Sequence, residues 1–376
     1  MTRRIVSDSA QRTFGLCALA MSSFIAFAVA LPLAAQTPAA LKATSNSTSK
    51  TGLSKTPWGD PDLQGTWTSD DTWGVPMERP AQYGDRLYLT EDELKAREKQ
   101  VVASKQRIEN PSDENHSPAK KQLEAEAKGE TAAPAAGAFG RGVDAAPVPG
   151  QFGEYARRAS RQTSQIVEPA NGRTPPLTPE AQKIQAAQRA SRGKEPSTWT
   201  DWSIYDRCIS RGVAGSIIPV IYGNGLEIVQ TPGYVAIRYE MVHDARIIPT
   251  DGRAHLPASV RSYMGDPVGH WEGNTLVVET TNFNDKMGIG ANGGGIQSED
   301  MKLTERFTRV ADNTINYELT IDDPKTYTAP WKIAFPITHE PGYQIFEYAC
   351  HEGNMAMRNM ITGTLADEAK AAAGKK

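Results

Sequence analysis

The chain has 376 residues, with 41 Lys and Arg against 44 Asp and Glu and a formal net charge of −3. So even a balance implies no polybasic face, which argues against nucleic acid or an anionic lipid surface as a partner. The length allows one large domain or two small ones.

Arg3 and Arg4 precede an apolar run over residues 14–33 that ends in small side chains. This is the pattern of a secretory signal peptide over residues 1–35 and predicts a periplasmic or secreted protein with no membrane contact after cleavage. A retained transmembrane anchor is the alternative; a lipoprotein fits less well, because Cys17 lies inside the apolar run. Cleavage leaves Cys208 and Cys350. In an oxidising compartment they predict one disulfide, with two separate buried thiols as the alternative. Such a bridge closes a long loop and is worth roughly 4–5 kcal/mol in the chain-entropy picture.

Residues 36–56 are rich in Thr, Ser, Ala and Lys and read as a disordered linker. In WGDPDLQGTW (58–67), Leu63, Gly65 and Trp67 alternate with Gln64 and Thr66, which predicts an opening strand. Its Gly-x-Trp is similar to the start of a lipocalin-type barrel. Residues 90–107 read as a helix, with Thr90 as cap and Glu93 completing a capping box. Residues 109–198 are of low complexity, with candidate helices at 119–128 and 179–192, the second capped by Thr178. Without an apolar core, this stretch reads as a long insertion, draped over the domain or partly disordered. Residues 199–225 predict an irregular segment that closes one end of the barrel, pinned by Cys208.

A hairpin of 226–230 with 234–242 follows, around the turn Thr231-Pro232-Gly233. Val235, Ile237, Tyr239 and Met241 share its apolar face. Continuing the count puts His243 on that face, with Asp244 and Arg246 pointing the other way unless the strand bends. Residues 249–257 form a polar loop with Asp251, Arg253 and His255. Gly273-Asn274 marks a second hairpin, with Leu276, Val278 and Thr280 on one face of its return strand. Residues 284–300 are Gly-rich and read as a mobile loop. Further strands are expected at 302–310, with Leu303, Glu305 and Phe307 on one face, then at 314–321, 331–337 and 343–351. A short helix near 357–365 and a tail from 367 end the chain.

About nine short consecutive strands predict an all-β protein, an antiparallel up-and-down, lipocalin-like barrel or a sandwich, with a few peripheral helices. The barrel is preferred because closure leaves no sheet edge exposed. It would occupy a single domain over 57–366.

The strings MVHDARIIPTDGRAHLP, GDPVGHWEGNTLVVETTNF, LTERFTRV and YACHEGN, with WGDPDLQGTW near the front, resemble a large family of secreted, mostly uncharacterised bacterial proteins. The resemblance covers roughly residues 57–95 and 199–366. It implies an exported β-rich domain and names no chemistry.

Candidate catalytic residues come from the strand ends. His243 suits a general acid or base and could cluster with His255 and His351 at one barrel mouth; the plainer reading is a core histidine bonded to a carbonyl. Asp244 could orient His255, and Arg246 could hold an anionic or carbonyl group of a ligand. Both could equally pair with Arg253 or Asp251. Glu305, on a buried face, is either a carboxylic acid of raised pKa or half of a structural ion pair, with Arg306 or another cation. Glu347 is equally ambiguous; four strand residues, about 13 Å, separate it from His351. His351, Glu352 and Asn354 follow Cys350 and would be held by the disulfide.

No metal is expected, since the histidines lack the spacing of common sites. No cofactor is expected, since a P-loop, a dinucleotide fingerprint and a nucleophile elbow are all missing. The expected function is cofactor-independent acid–base chemistry on a small molecule inside the barrel, by a lyase, isomerase or hydrolase. The alternative is a non-catalytic, lipocalin-like ligand-binding protein; a structural envelope protein is a third reading. An enzyme should bring its histidines and carboxylates together in one pocket. A carrier should show them outside it or paired with one another.

Overall fold

The computed structural model describes residues 53–109, 158–192, 198–220, 222–290, 293–339, 341–353 and 355–373. The expected signal peptide, the linker up to residue 52, the helix at 119–128 and Asn354 lie outside the described residues; the last linker residues are ordered, with Lys55 bridging Pro61 and Thr56 buried. In chain order the elements begin with β1 (Gly65–Thr68), α1 (Glu91–Glu109), β2 (Ile166–Glu168), α2 (Pro179–Arg192) and α3 (Gly212–Ile217). Then come β3 (Gly225–Thr231), β4 (Tyr234–Tyr239), β5 (Ala245–Pro249), β6 (Asp266–Glu272) and β7 (Thr275–Thr281). β8 (Lys302–Ala311), β9 (Thr314–Asp322), β10 (Trp331–His339) and α4 (Ala356–Ala373) complete the chain.

One antiparallel sheet runs in the order β5-β4-β3-β1-β10-β9-β8-β7-β6 and rolls into a nearly closed barrel. This up-and-down path has nine strands, one more than the eight of a lipocalin. An odd number has a consequence. If neighbours alternate in direction all the way round, the two end strands run the same way. So β5 and β6 meet as parallel neighbours, and parallel strands need a long crossover; residues 250–265 supply it. No ladder joins β5 to β6 among the described residues, yet they lie close. A Cβ on Gly269 of β6 would sit 2.9 Å from Ile248 Cγ2 of β5.

The interior is filled by alternate side chains. Leu226, Ile237, Val278, Phe307, Leu319 and Ile333 are all fully buried. Helix α3 is buried throughout, and Val213, Ala214 and Ile217 join the core. Both predicted caps form: Glu93 N–H donates to Thr90 Oγ1 (3.4 Å) with Glu93 Oε2 accepting from Thr90 N–H (2.8 Å), and Ala181 N–H donates to Thr178 Oγ1 (3.2 Å).

Five expectations need correction, the first being the short helix near 357–365, which is the 18-residue α4 and takes in most of the expected tail from 367. Strand β4 stops at Tyr239; Met241–His243 is a tight 3-10 turn in which Val242 (φ 61°) and His243 (φ 44°) are left-handed. Residues 343–351 alternate but form no strand. β10 has no free edge for one: β9 lies along one side, and β2 and β1 share the other. The low-complexity stretch is not wholly draped over the surface, because β2 pairs with β10, and Thr163, Ser164 and Ile166 are fully buried. The Gly-rich segment after β7 is packed down rather than loose: Met287, Ile289 and Ile296 are buried, and the Gly288 and Gly290 amides donate to the Gly293 and Gly294 carbonyls (2.9 and 2.8 Å). Among the described residues, no helix is long and apolar enough to cross a membrane.

Candidate functional site: a buried ion pair and the disulfide-tied end of the barrel

Arg246 follows the turn that joins β4 to β5. It pairs in register with inward-facing Ile237, so its side chain also faces inward. The expected phase, with His243 on the apolar face and Arg246 opposite, is reversed. The left-handed turn at 242–243 resets the count between the strands. Glu305 on β8 faces the same interior between Leu303 and Phe307.

The two meet across the barrel. Arg246 Nη1 donates to Glu305 Oε2 at 2.6 Å and Nη2 to Oε1 at 2.9 Å, with side chains 1% and 0% exposed. The Tyr317 hydroxyl donates to Glu305 Oε1 at 3.0 Å. Glu305 therefore accepts three hydrogen bonds, and Arg306, expected as a partner, instead reaches Glu272 at 2.9 Å. The Arg246 guanidinium lies 5.7 Å from the centre of the Tyr239 ring. Burial lowers the basicity of Arg246, but the charge and hydrogen bonds of Glu305, with Tyr239 and Tyr317 beside them, together outweigh it and the pKa ends raised. Burial, then the Glu305 charge, pushes the Tyr317 hydroxyl well above the usual tyrosine range. The Tyr239 hydroxyl lies near the guanidinium without a hydrogen bond of ordinary geometry, and Arg246 Nε also lacks one. Burial is again the main cause raising the Tyr239 pKa.

Asp244 does not pair with Arg253. Arg253 binds Asp251 at 2.6 Å instead. Asp244 Oδ2 accepts from Ser210 Oγ at 2.7 Å. Burial raises the Asp244 pKa against the opposing bonds from Ser210 and the Arg211 amide. His243 is exposed, and its Nδ1 lies 3.0 Å from the Tyr348 carbonyl. Since that oxygen can only accept, Nδ1 carries the proton. His255 Nδ1 contacts Asp266 Oδ2 at 3.0 Å, not Asp244. His351, Glu352 and Glu347 are exposed. Among the described residues, no three His, Cys, Asp or Glu side chains group as metal ligands would.

Cys208 and Cys350 form a disulfide. It ties residues 343–353 to the barrel end, where the Tyr343 hydroxyl bonds Glu240 and Glu240 Oε2 accepts from the Gly225 amide (3.1 Å). Beneath lies Arg211, 1% exposed, with its guanidinium 5.8 Å from the Tyr205 ring. Tyr205, in turn, reaches Met241 Sδ at 3.8 Å.

The structure thus joins Arg246 to Glu305, sets His351 on the disulfide-tied segment, and bonds His243 to that segment from the turn between β4 and β5. It keeps His255 apart on Asp266. Sequence reasoning missed Tyr239, Tyr317, Ser210 and Arg211. The two tyrosines sat on apolar strand faces and were read as core. A signal for Ser210 and Arg211 was present only in their closeness to Cys208.

No family model, curated protein or solved structure matches the chain. What defines its class is therefore the fold and the site alone: an up-and-down barrel whose ionisable interior is neutralised by pairing.

Proposed function

We propose that the protein is an exported barrel that binds a small molecule without turning it over. The observation that carries this is the full engagement of Glu305. A carboxylate held by two guanidinium N–H groups and a tyrosine hydroxyl, with both side chains of the ion pair fully buried, is committed to a structural pair rather than open to a substrate proton. A general base must lie within hydrogen-bond reach of the proton it takes, and this one is sealed inside. Of the candidate histidines, His243 and His351 are exposed and His255 sits on Asp266. The disulfide supports a periplasmic or secreted location, as does the resemblance to a secreted family.

Asp244 favours a second reading. Its carboxyl has a raised pKa and sits on Ser210 at the barrel end, as an acid catalyst would. The two readings separate in one experiment. The full chain is incubated with a panel of aromatic acids and sugar-derived compounds, following thermal stability and the mass of each recovered compound. A compound that raises the melting temperature and returns unchanged supports the carrier. Conversion abolished by Asp244→Asn overturns it in favour of the enzyme, and a panel that neither binds nor reacts overturns both.

A further inference from the structure

We propose that residues 343–353 are a redox-latched cover over the end of the barrel where β4 turns into β5, with Cys208–Cys350 as the latch. This rests on the reading above that the barrel takes a small molecule, since it describes how that end would be opened.

Three observations carry it. First, the segment contributes nothing to the core: no residue from 341 to 353 is buried, and Phe346 is 70% exposed. A stretch whose purpose was stability would bury apolar side chains, because burial is the main source of stabilisation. Second, besides the disulfide, the ties that hold it to the barrel end are polar. The Tyr343 hydroxyl bonds Glu240, His243 Nδ1 donates to the Tyr348 carbonyl at 3.0 Å, and the Tyr348 and Tyr222 hydroxyls hydrogen-bond to each other. Third, what lies underneath is under strain. Val242 is β-branched and buried, yet it holds φ 61°, a conformation that persists only where its surroundings impose it. The His243–Tyr348 bond joins the segment to that turn.

The groups the cover shields are suited to a ligand. Tyr205, Met241 and the buried Arg211 lie at this end, and the Ser210–Asp244 pair adjoins them. Lifting the segment would expose an aromatic, cationic and carboxyl-bearing surface together.

The chemistry of opening is thiol–disulfide exchange with a dithiol. One thiolate attacks Sγ of Cys350 or Cys208, the S–S bond breaks, and the other cysteine leaves as a thiolate that takes up a proton. The second thiol of the reductant then displaces the mixed disulfide. Two electrons pass to the protein, which ends with two thiols, and the dithiol ends as a cyclic disulfide.

The test is hydrogen exchange on the full chain, oxidised and after treatment with dithiothreitol, followed residue by residue. Exchange should rise tenfold or more, roughly the loss of one latch, at the Cys350, Glu352, Glu240 and His243 amides, which all donate within this region. The β8 and β9 amides should keep their protection, and reoxidation should restore the rest. The variant Cys208→Ser/Cys350→Ser should match the reduced protein without reductant. Unchanged exchange at 343–353 on reduction would overturn the proposal, because the segment would then be held by other means. So would loss of protection throughout β8 and β9, because the bridge would then hold the whole fold. No ligand enters the measurement, so its failure leaves the binding proposal standing, and failure of the compound panel leaves the latch untouched.

Discussion

Glu305 shows how far one residue's surroundings could be inferred. Its inward direction follows from the period-two pattern of Leu303 and Phe307, but its partner does not. Arg246 lies 59 positions away, beyond a turn that breaks the strand count. Buried ion pairs return their desolvation cost only with good geometry, and removing one partner leaves a bare charge. Glu305→Gln should therefore cost about 3–5 kcal/mol, the range for breaking such a pair. The double variant Arg246→Met/Glu305→Leu removes both charges and should be less destabilised than either single change. Urea unfolding of the parent, the Arg246→Met and Glu305→Leu singles and the double measures this, and a double loss as large as the sum of those singles would contradict it. Asp244 is a different case. Burial raises its folded pKa, so the folded state holds the proton more tightly than the unfolded chain does. Its contribution is therefore largest below the unfolded pKa and fades as pH rises through the raised folded value. Asp244→Asn carries no such charge. Its melting temperature relative to wild type should climb as pH rises through that window, and a difference independent of pH would refute the assignment.

At the scale of elements, hairpins were the most legible feature, and single strands the least. Thr231-Pro232-Gly233 and Gly273-Asn274 announce their turns by local chemistry, and both hairpins form with two residues between their strands. The segment 343–351 shows the limit of alternation. Period two makes a strand only where an edge is free to receive it, and that is a property of the finished sheet. β2 is the converse, a three-residue strand whose sequence has too little apolar pattern to be seen. Its place is decided by the edge of β10, where the Ala334 amide donates to the Gln165 carbonyl at 2.9 Å, and by Ile166 reaching the core. Ile166→Ala should thus destabilise the protein by about 2–5 kcal/mol, as for a fully buried isoleucine. In a loosely draped insertion the same change would be close to neutral. Chemical denaturation distinguishes the two, and a loss below about 0.5 kcal/mol, the scale of a surface substitution, would return this stretch to the periphery.

The whole molecule is governed by its odd strand count. Each hairpin could be read singly, but the closing of the sheet depends on nine strands meeting end to end, and no local pattern encodes that. The meeting place is the parallel seam between β5 and β6, held by side-chain contact where a ladder would otherwise be. Contact at such a seam must be close, and Gly269 is what allows it. Its backbone is not in the left-handed region, so only space restricts the position. An added Cβ would meet Ile248 Cγ2 at 2.9 Å, Thr250 Cγ2 at 3.2 Å and Leu276 Cδ1 at 3.4 Å. Gly269→Val places three carbons there and should force β5 away from β6, at the cost of about 1–3 kcal/mol usual for overpacking. The damage should be local. Hydrogen exchange should quicken in β5 and β6, whose outer edges have no ladder to share the strain, while β8 and β9, each paired on both sides, should keep their protection. A variant as stable as the parent, with β5 and β6 unchanged in exchange, would mean that the seam is wider than the packing around Gly269 requires.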